Sequence, residues 1–315
     1  MDGRAFFIVN PNAAGGRLGR QWPNIAERAR LILGDFTVAL TTGKDDAQRL
    51  AAQAVAAGHR LIVSCGGDGT HNEVLNGLVD ANQVVAPDLI LALFPFGTGG
   101  DLRRSLGVFG DTEAHLQRLR SGTNRVVDIG RVDFIDHLGR PAVRYFLNIG
   151  GCGMSGEVVR IINASRKTLG GKASYFLAAL RAALTYRYPT VEIRLDDGPA
   201  RQRPINFVAV ANGRFFGGGM MVAPHAGMDD GHFDVVIAQK THLLNNARAQ
   251  RHIYRGEHLR YPWYEEQRAR AVYLRPIATG AAASPPVFLD IDGEGLGRLP
   301  ATFRILEKRL TLRVG

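Results

Sequence analysis

Two spacings of apolar residues divide the chain. Over the first third, short apolar runs alternate with stretches in which apolar positions recur at helical intervals. Ala5–Val9, Phe36–Thr41, Leu61–Cys65 and residues 89–95 read as strands, and residues 22–33, 46–57 and 70–79 as helices. Glycine-bearing loops follow three of the strands, at Asn10–Gly16, Gly66–Thr70 and Gly97–Asp101. Strand–helix alternation predicts a mostly parallel sheet with helices on its faces. Ligands of such sheets bind beyond the carboxyl ends of the strands, so the three loops are expected on one edge.

After about residue 125 the helical spacing fades. Val126–Ile135, Arg144–Gly150, Thr190–Leu195, Ile205–Ala211, Phe233–Ala238, Arg270–Leu274 and Val287–Ile291 are strand-like runs separated by turns. They predict a mostly β second domain, a sandwich. One helix is expected near Ser174–Tyr186. The predicted division is an α/β domain over residues 1–127 and a β-sandwich over 128–299. Two last strands, Thr302–Leu306 and Leu310–Val314, are free to pair with either domain, and residues 300–315 could return to the first.

Composition narrows the class. With 315 residues, 45% of them hydrophobic and 22% charged, the chain can bury the cores of two domains. The N-terminus enters a strand directly and no 18-residue apolar stretch occurs, so neither a signal peptide nor a membrane span is expected. Two cysteines, Cys65 and Cys152, both in apolar runs, suggest reduced thiols and a cytoplasmic protein. The net charge of +10 favours an anionic partner or is simply solubilising. No zinc-finger spacing or RNP motif accompanies it, which argues against nucleic acid.

The glycine loops match neither the P-loop nor the dinucleotide fingerprint. Their own residues are "NPNAAGG", "GGDGT" and "PFGTGGD". Glycines at a strand-to-helix turn let backbone N–H groups approach a phosphate, yet Asp68 places an acid there. Either it works with a divalent cation or a substrate hydroxyl, or it caps the helix expected to start near Thr70.

In order, these segments resemble the three nucleotide-binding segments of the lipid kinase family that includes diacylglycerol, sphingosine and ceramide kinases. "VANGRFFGGGMMVAPHAGMDDGHFDVVI" (210–237) and "LDIDGEGL" (289–296) resemble later segments of the same family. The resemblance implies a nucleotide-binding α/β domain followed by a β-sandwich. It implies ATP as co-substrate, Mg²⁺, and transfer of the γ-phosphate to a lipid hydroxyl. By matching position, Asn10, Pro11, Asn12, Ala13, Ala14 and Thr41 would touch the nucleotide. Gly66, Gly67, Asp68, Gly69, Thr70, His71 and Asn72 would hold its phosphates, and Thr98 would add a hydroxyl. Gly100 stands where the family usually has Asn; Asp101 is kept.

Glu294 maps to the family's proton acceptor, with Asp292 two residues away and Asp68 and Asp101 as further catalytic candidates. A structural Mg²⁺ maps to Gly227, Asp230 and His232, the last through its carbonyl; a plain turn stabilised by Asp is the alternative. "RFFGGGMMV" (214–222) reads as an acyl groove or as core. Arg166, Lys167 and Lys172, beside the apolar stretch 173–188, suit an anionic membrane surface or are solvated helix ends. Homodimerisation is also compatible with the resemblance. The rival functions are an NAD kinase-like small-molecule kinase, which shares GGDGT, and a non-catalytic lipid- or nucleotide-binding protein.

Overall fold

Residues 1–129 and 307–315 form one unit, and residues 130–306 form another. A computed structural model describes residues 4–80, 85–86, 88–97, 100–164, 186–278 and 286–315. Thr98, Arg166, Lys167, Lys172 and the expected helix Ser174–Tyr186, apart from its last residue, lie outside the described residues.

The first unit is built on β1 (Ala5–Val9), β2 (Thr37–Leu40), β3 (Leu61–Gly66), β4 (Ile90–Pro95) and the end of the last strand, β16 (Gly297–Val314). The order is β16–β4–β3–β1–β2, and every pairing is parallel. Five helices accompany them: α1 (Ala13–Leu33), α2 (Asp46–Ala56), α3 (Asp68–Leu78), α4 (Asp101–Leu106) and α5 (Thr112–Ser121). One core gathers Phe7, Val63 and Phe94 from the strands with Leu18 and Trp22 of α1 and Leu116 of α5. The short helices α4 and α5 were not expected. Only two apolar side chains of α5, Leu116 and Leu119, are buried, too few for a clear periodicity.

The second unit is antiparallel. Strand β9 (Arg201–Ala211) is paired by β8 (Thr190–Leu195), by β12 (Phe233–Gln239) and by β7 (Ile149–Gly153). Beyond β12 lies β13 (Tyr264–Ala269), and β14 (Ala271–Pro276) joins β8 to the first part of β16. Strand β15 (Leu289–Ile291) pairs with β7, while β5 (Thr123–Asp136) pairs with β6 (Pro141–Phe146). The core is dominated by Phe146, Val208, Val210, Phe233, Leu289 and Phe303. A hairpin of β10 (Phe215–Phe216) and β11 (Met220–Met221), and helices α6 (Met154–Ala164) and α7 (Leu243–Ile253), complete the unit.

Two expected strands have other boundaries. The run Arg144–Gly150 is two strands, because at Leu147–Ile149 the backbone N–H groups turn to the carboxylate of Asp292 instead of a neighbouring strand. Conversely, the two expected C-terminal strands are one. Strand β16 continues through Lys308, whose backbone has φ 49° and whose N–H donates to buried Asp128 at 2.7 Å.

Candidate functional site

In the first unit the loops are shaped by missing side chains. The chain leaves β1 through Asn10, whose side-chain oxygen accepts from the Asn12 N–H at 3.0 Å and whose amide donates to Thr70 Oγ1 at 3.0 Å. The loop after β1 is thereby tied to the GGDGT turn. Helix α1 begins nine residues earlier than the apolar spacing suggested. Its start is irregular: Ala14, Gly15 and Gly16 have φ of 52°, 67° and 80°. Two of these left-handed positions are glycine, the residue that adopts them without a Cβ penalty. Thr41 is buried at the end of β2, its N–H bonded to the Val9 carbonyl.

Close approach requires the glycines of the second and third loops. A Cβ on Gly66 would stand 2.5 Å from Thr70 Oγ1, and one on Gly97 would stand 3.0 Å from the Gly67 Cα. The Phe96 N–H donates to the Gly66 carbonyl at 2.6 Å. The two loops therefore abut backbone to backbone.

Asp68 answers the question its sequence posed. Helix α3 starts at Asp68 itself with Gly67 as its cap residue, so Asp68 does not cap its own helix. Its Oδ2 accepts the Asp101 N–H at 3.0 Å, at the start of α4. Burial pushes its carboxyl above the usual range; N–H groups of Asp101, Leu102 and Gly100 and the charge of Arg104 act in the opposite direction. Asp101 is bridged to Arg104 at 3.1 Å. His71 and Asn72 are buried, each 1% exposed. His71 Nδ1 lies 2.7 Å from Ser64 Oγ, and burial lowers its pKa to about 4. The Asn72 carbonyl accepts from Asn76 at 2.8 Å. The backbone of this turn and the Thr70 side of α3 are its ligand-facing candidates.

In the second unit the functional turn is held by side chains. Asp292, at φ 49°, accepts the N–H of Leu147 (3.0 Å) at one oxygen and those of Asn148 (3.0 Å) and Ile149 (2.9 Å) at the other. Gly293 at φ 86° and the paired Ile291–Glu294 backbone bonds then turn the chain tightly. His137 Nε2 lies 2.9 Å from the Gly295 carbonyl. Asn148 and buried Asn212 fix the opposite strand ends. Asn148 donates to the Phe215 carbonyl at 2.6 Å, and Asn212 to the Leu147 carbonyl at 2.7 Å. Neither asparagine was singled out in the sequence. Asn212 lies in the matched VANGR segment, the one signal that could have marked it. Asp292 is thus a backbone clamp, and Glu294 is the turn's other carboxylate.

Residues 4–132 match the family model described as the diacylglycerol kinase catalytic domain. Residues 149–314 match that of the YegS C-terminal NAD kinase β-sandwich-like domain. The chain belongs to the diacylglycerol kinase-like lipid kinase family. A diacylglycerol kinase of Bacillus subtilis (strain 168) is 29% identical over 301 residues, 95% of this chain and 92% of that one. One of Staphylococcus aureus (strain MRSA252) is 28% identical over 314 residues, 98% and 92% of the respective chains. The crystal structure of a diacylglycerol kinase from Bacillus anthracis superimposes with a TM-score of 0.72 at 22% identity, covering 99% of this chain and 97% of the other. That last likeness establishes the fold.

Two further segments of this lipid kinase can now be placed. In the glycine-rich hairpin, Met220 and Val222 are buried with Ile149, Phe207 and Val236, and Phe216 packs against them, so this part is core. In the turn 227–232, Asp230 accepts the His232 N–H at 3.1 Å and meets Arg268 at 2.5 Å. The Asp230 carbonyl lies 2.9 Å from His232 Nδ1. One carboxylate and backbone carbonyls are hard donors of the kind Mg²⁺ takes. Among the described residues, no group of three or more His, Cys, Asp or Glu side chains is arranged to hold a metal. No helix among them is long and apolar enough to cross a membrane.

Proposed function

We propose that this kinase transfers the γ-phosphate of ATP to the hydroxyl of a two-chain lipid, with diacylglycerol the acceptor best supported by the names of its relatives. The observation that carries the chemical assignment is the division of labour between Asp292 and Glu294. Three backbone N–H groups engage both oxygens of Asp292. Glu294, which stands at the position of the family's proton acceptor, is assigned that role toward the lipid hydroxyl, whose own pKa is far too high for spontaneous ionisation. Asn10–Ala14, Thr41 and Gly66–Thr70 are assigned to the nucleotide, with Thr98 as an added hydroxyl. Asp68 holds the third loop against the second and acts on the reaction through that loop. Asp101, tied to Arg104, has a similar supporting part.

Mg²⁺, when bound with the nucleotide, would neutralise charge on the phosphates. At the turn 227–232, Asp230 and the carbonyls of Gly227 and His232 would hold a structural Mg²⁺ if Arg268 gave way. Added Mg²⁺ should then raise the melting temperature of the wild type and not that of Asp230→Asn. The substrate is reached by peripheral association with an anionic membrane.

The deciding experiment offers labelled ATP with diacylglycerol, sphingosine or ceramide in mixed micelles, and separately with NAD⁺. Phosphorylated diacylglycerol on thin-layer chromatography is expected. The NAD kinase-like description of the β-sandwich model keeps one rival open, and NADP⁺ as the product would establish it.

A further inference from the structure

The basic surface read from Lys167 and Lys172 lies outside the described residues, but another surface of the second unit has the chemistry of a membrane interface. Helix α7 buries Ala249 and Ile253. Its opposite side shows Leu244, 83% exposed, with Arg248, Arg251 and Arg255 following at helical spacing, and Tyr254 half exposed beside them. Between His242 and Trp263 there are four arginines and a single acid, Glu257.

Charge pairing varies among the arginines of this unit. Arg131, Arg201, Arg268 and Arg275 each meet a carboxylate. Among the described residues, Arg248, Arg251 and Arg255 meet none, and Arg260 reaches Glu257 only at 3.7 Å. Two of the four, Arg248 and Arg260, have an aromatic neighbour instead. Tyr261 stacks on Trp263 with ring centres 4.8 Å apart, and the guanidinium groups of Arg260 and Arg248 lie 5.4 and 5.9 Å from the Tyr261 ring. Tyr261 Oη and His252 Nδ1 are 2.9 Å apart, which binds the aromatic pair to the helix.

Resting on the lipid-substrate reading above, we propose that the outer face of α7 and the turn through Trp263 dock this protein on an anionic lipid bilayer. Unpaired arginines attract the headgroup charge. Tyr and Trp suit the boundary between headgroup and acyl chain, and an exposed leucine gains by entering it. Nucleic acid would also draw arginine and aromatic rings. It gives no reason for Leu244 to stand exposed at the head of the basic row, and the Tyr261–Trp263 stack already uses ring surface that bases would need.

Sedimentation of the full chain with vesicles of phosphatidylcholine, with and without phosphatidylglycerol, tests this. Wild type should bind the anionic vesicles and release on raising salt, where screening shortens the Debye length to about 8 Å at physiological strength. Each arginine near such a surface is worth roughly fivefold in partitioning, so Arg251→Glu with Arg255→Glu should weaken binding at least about tenfold. Leu244→Asp should also weaken it at the low salt where wild type binds. All three sites are exposed, so melting temperatures should hold. Phosphorylation of a short-chain, water-soluble diacylglycerol should be unchanged, which separates this inference from the kinase reading. Absent vesicle binding by wild type, unchanged binding by the variants, or capture of an RNA oligomer in preference to vesicles would overturn the docking assignment. Loss of activity on every lipid in the wild type would instead overturn the proposed function.

Discussion

The two units make functional turns by opposite means. In the first, the loops after β1, β3 and β4 are defined by what glycine leaves out. Gly66 and Gly97 let backbone meet backbone where a Cβ would collide, and Gly15 and Gly16 accept left-handed geometry. In the second, the turn bearing Glu294 is defined by what side chains put in: Asp292, Asn148 and Asn212 supply partners for backbone groups that no strand satisfies. A phosphate needs open N–H groups and little bulk. A proton acceptor needs one carboxylate held at a fixed place, which a rigid polar framework provides.

The sharpest test of this contrast is Glu294→Gln. The amide keeps the shape and cannot accept the proton, so kcat should fall about 10²–10⁴-fold with the melting temperature unchanged. Similar losses in kcat and kcat/KM would mark a transition-state role. A normal rate would leave Glu294 a turn residue.

Asp292→Ala should strike stability instead. It strands three N–H groups, each costing about 1–3 kcal/mol where water cannot replace the lost partner, so a loss of roughly 3–5 kcal/mol is expected in urea unfolding. A variant as stable as wild type would mean that water satisfies Leu147–Ile149.

In the first unit, Gly66→Ala forces a Cβ onto Thr70. Overpacking of this kind costs about 1–3 kcal/mol, and nucleotide affinity should fall with it. Thr70→Ala in the same chain should restore only part of the loss, because it removes Thr70 Oγ1 and Cγ2 but leaves the Thr70 Cβ 2.6 Å from the new methyl. Asp68→Ala removes an acceptor from the start of α4, an effect of about 0.5–2 kcal/mol by analogy with lost helix caps. Calorimetry with a nucleotide should show weakened binding, and Asp68→Asn, which keeps an acceptor, should lie between.

The smallest effect is on pH. Burial lowers the folded pKa of His71, His115 and His258 from 6.5 to about 4; like charge from Arg118 and Arg103 adds to the effect at His115. The unfolded chain therefore takes up more protons as pH falls. The stability these groups contribute is full above about 6.5 and declines toward 4, with about 0.7 kcal/mol per histidine lost between pH 7 and 6. His71→Gln should remove its share of that slope. An unchanged slope would show that His71 is protonated in the folded state.

What was legible in the sequence was local. The apolar runs that became β1, β3, β4, β8 and β12 announce themselves within five to seven residues, as does the glycine content of the loops. What was not legible depends on partners far along the chain. Nothing near residue 147 shows that Asp292 will break the strand there, 145 positions away. Nothing around Asp68 shows that its carboxylate serves a helix beginning 33 residues later. Helix α7 escaped because its solvent side is arginine and its buried side is little more than Ala249 and Ile253, and β13 because four of its six residues are charged or amide. The ordered motifs placed Glu294 and the loops; the hydrogen bonds add that Asp292 is engaged by three backbone N–H groups.

The last strand has a bearing on how this protein comes into being. Residues 311–313 pair with β4, and Gly315 is grasped by Arg118 across 197 positions. The first unit, though most of it is made first, lacks an edge strand until residues 311–313 have been made. A nascent chain therefore carries an exposed β4 edge throughout synthesis of the second unit, and such an edge is a template for wrong pairing. A ribosome stalled before residue 311 yields a chain whose glycine loops are all present and whose sheet is still open, so synthesis of this strand sets when the fold can close.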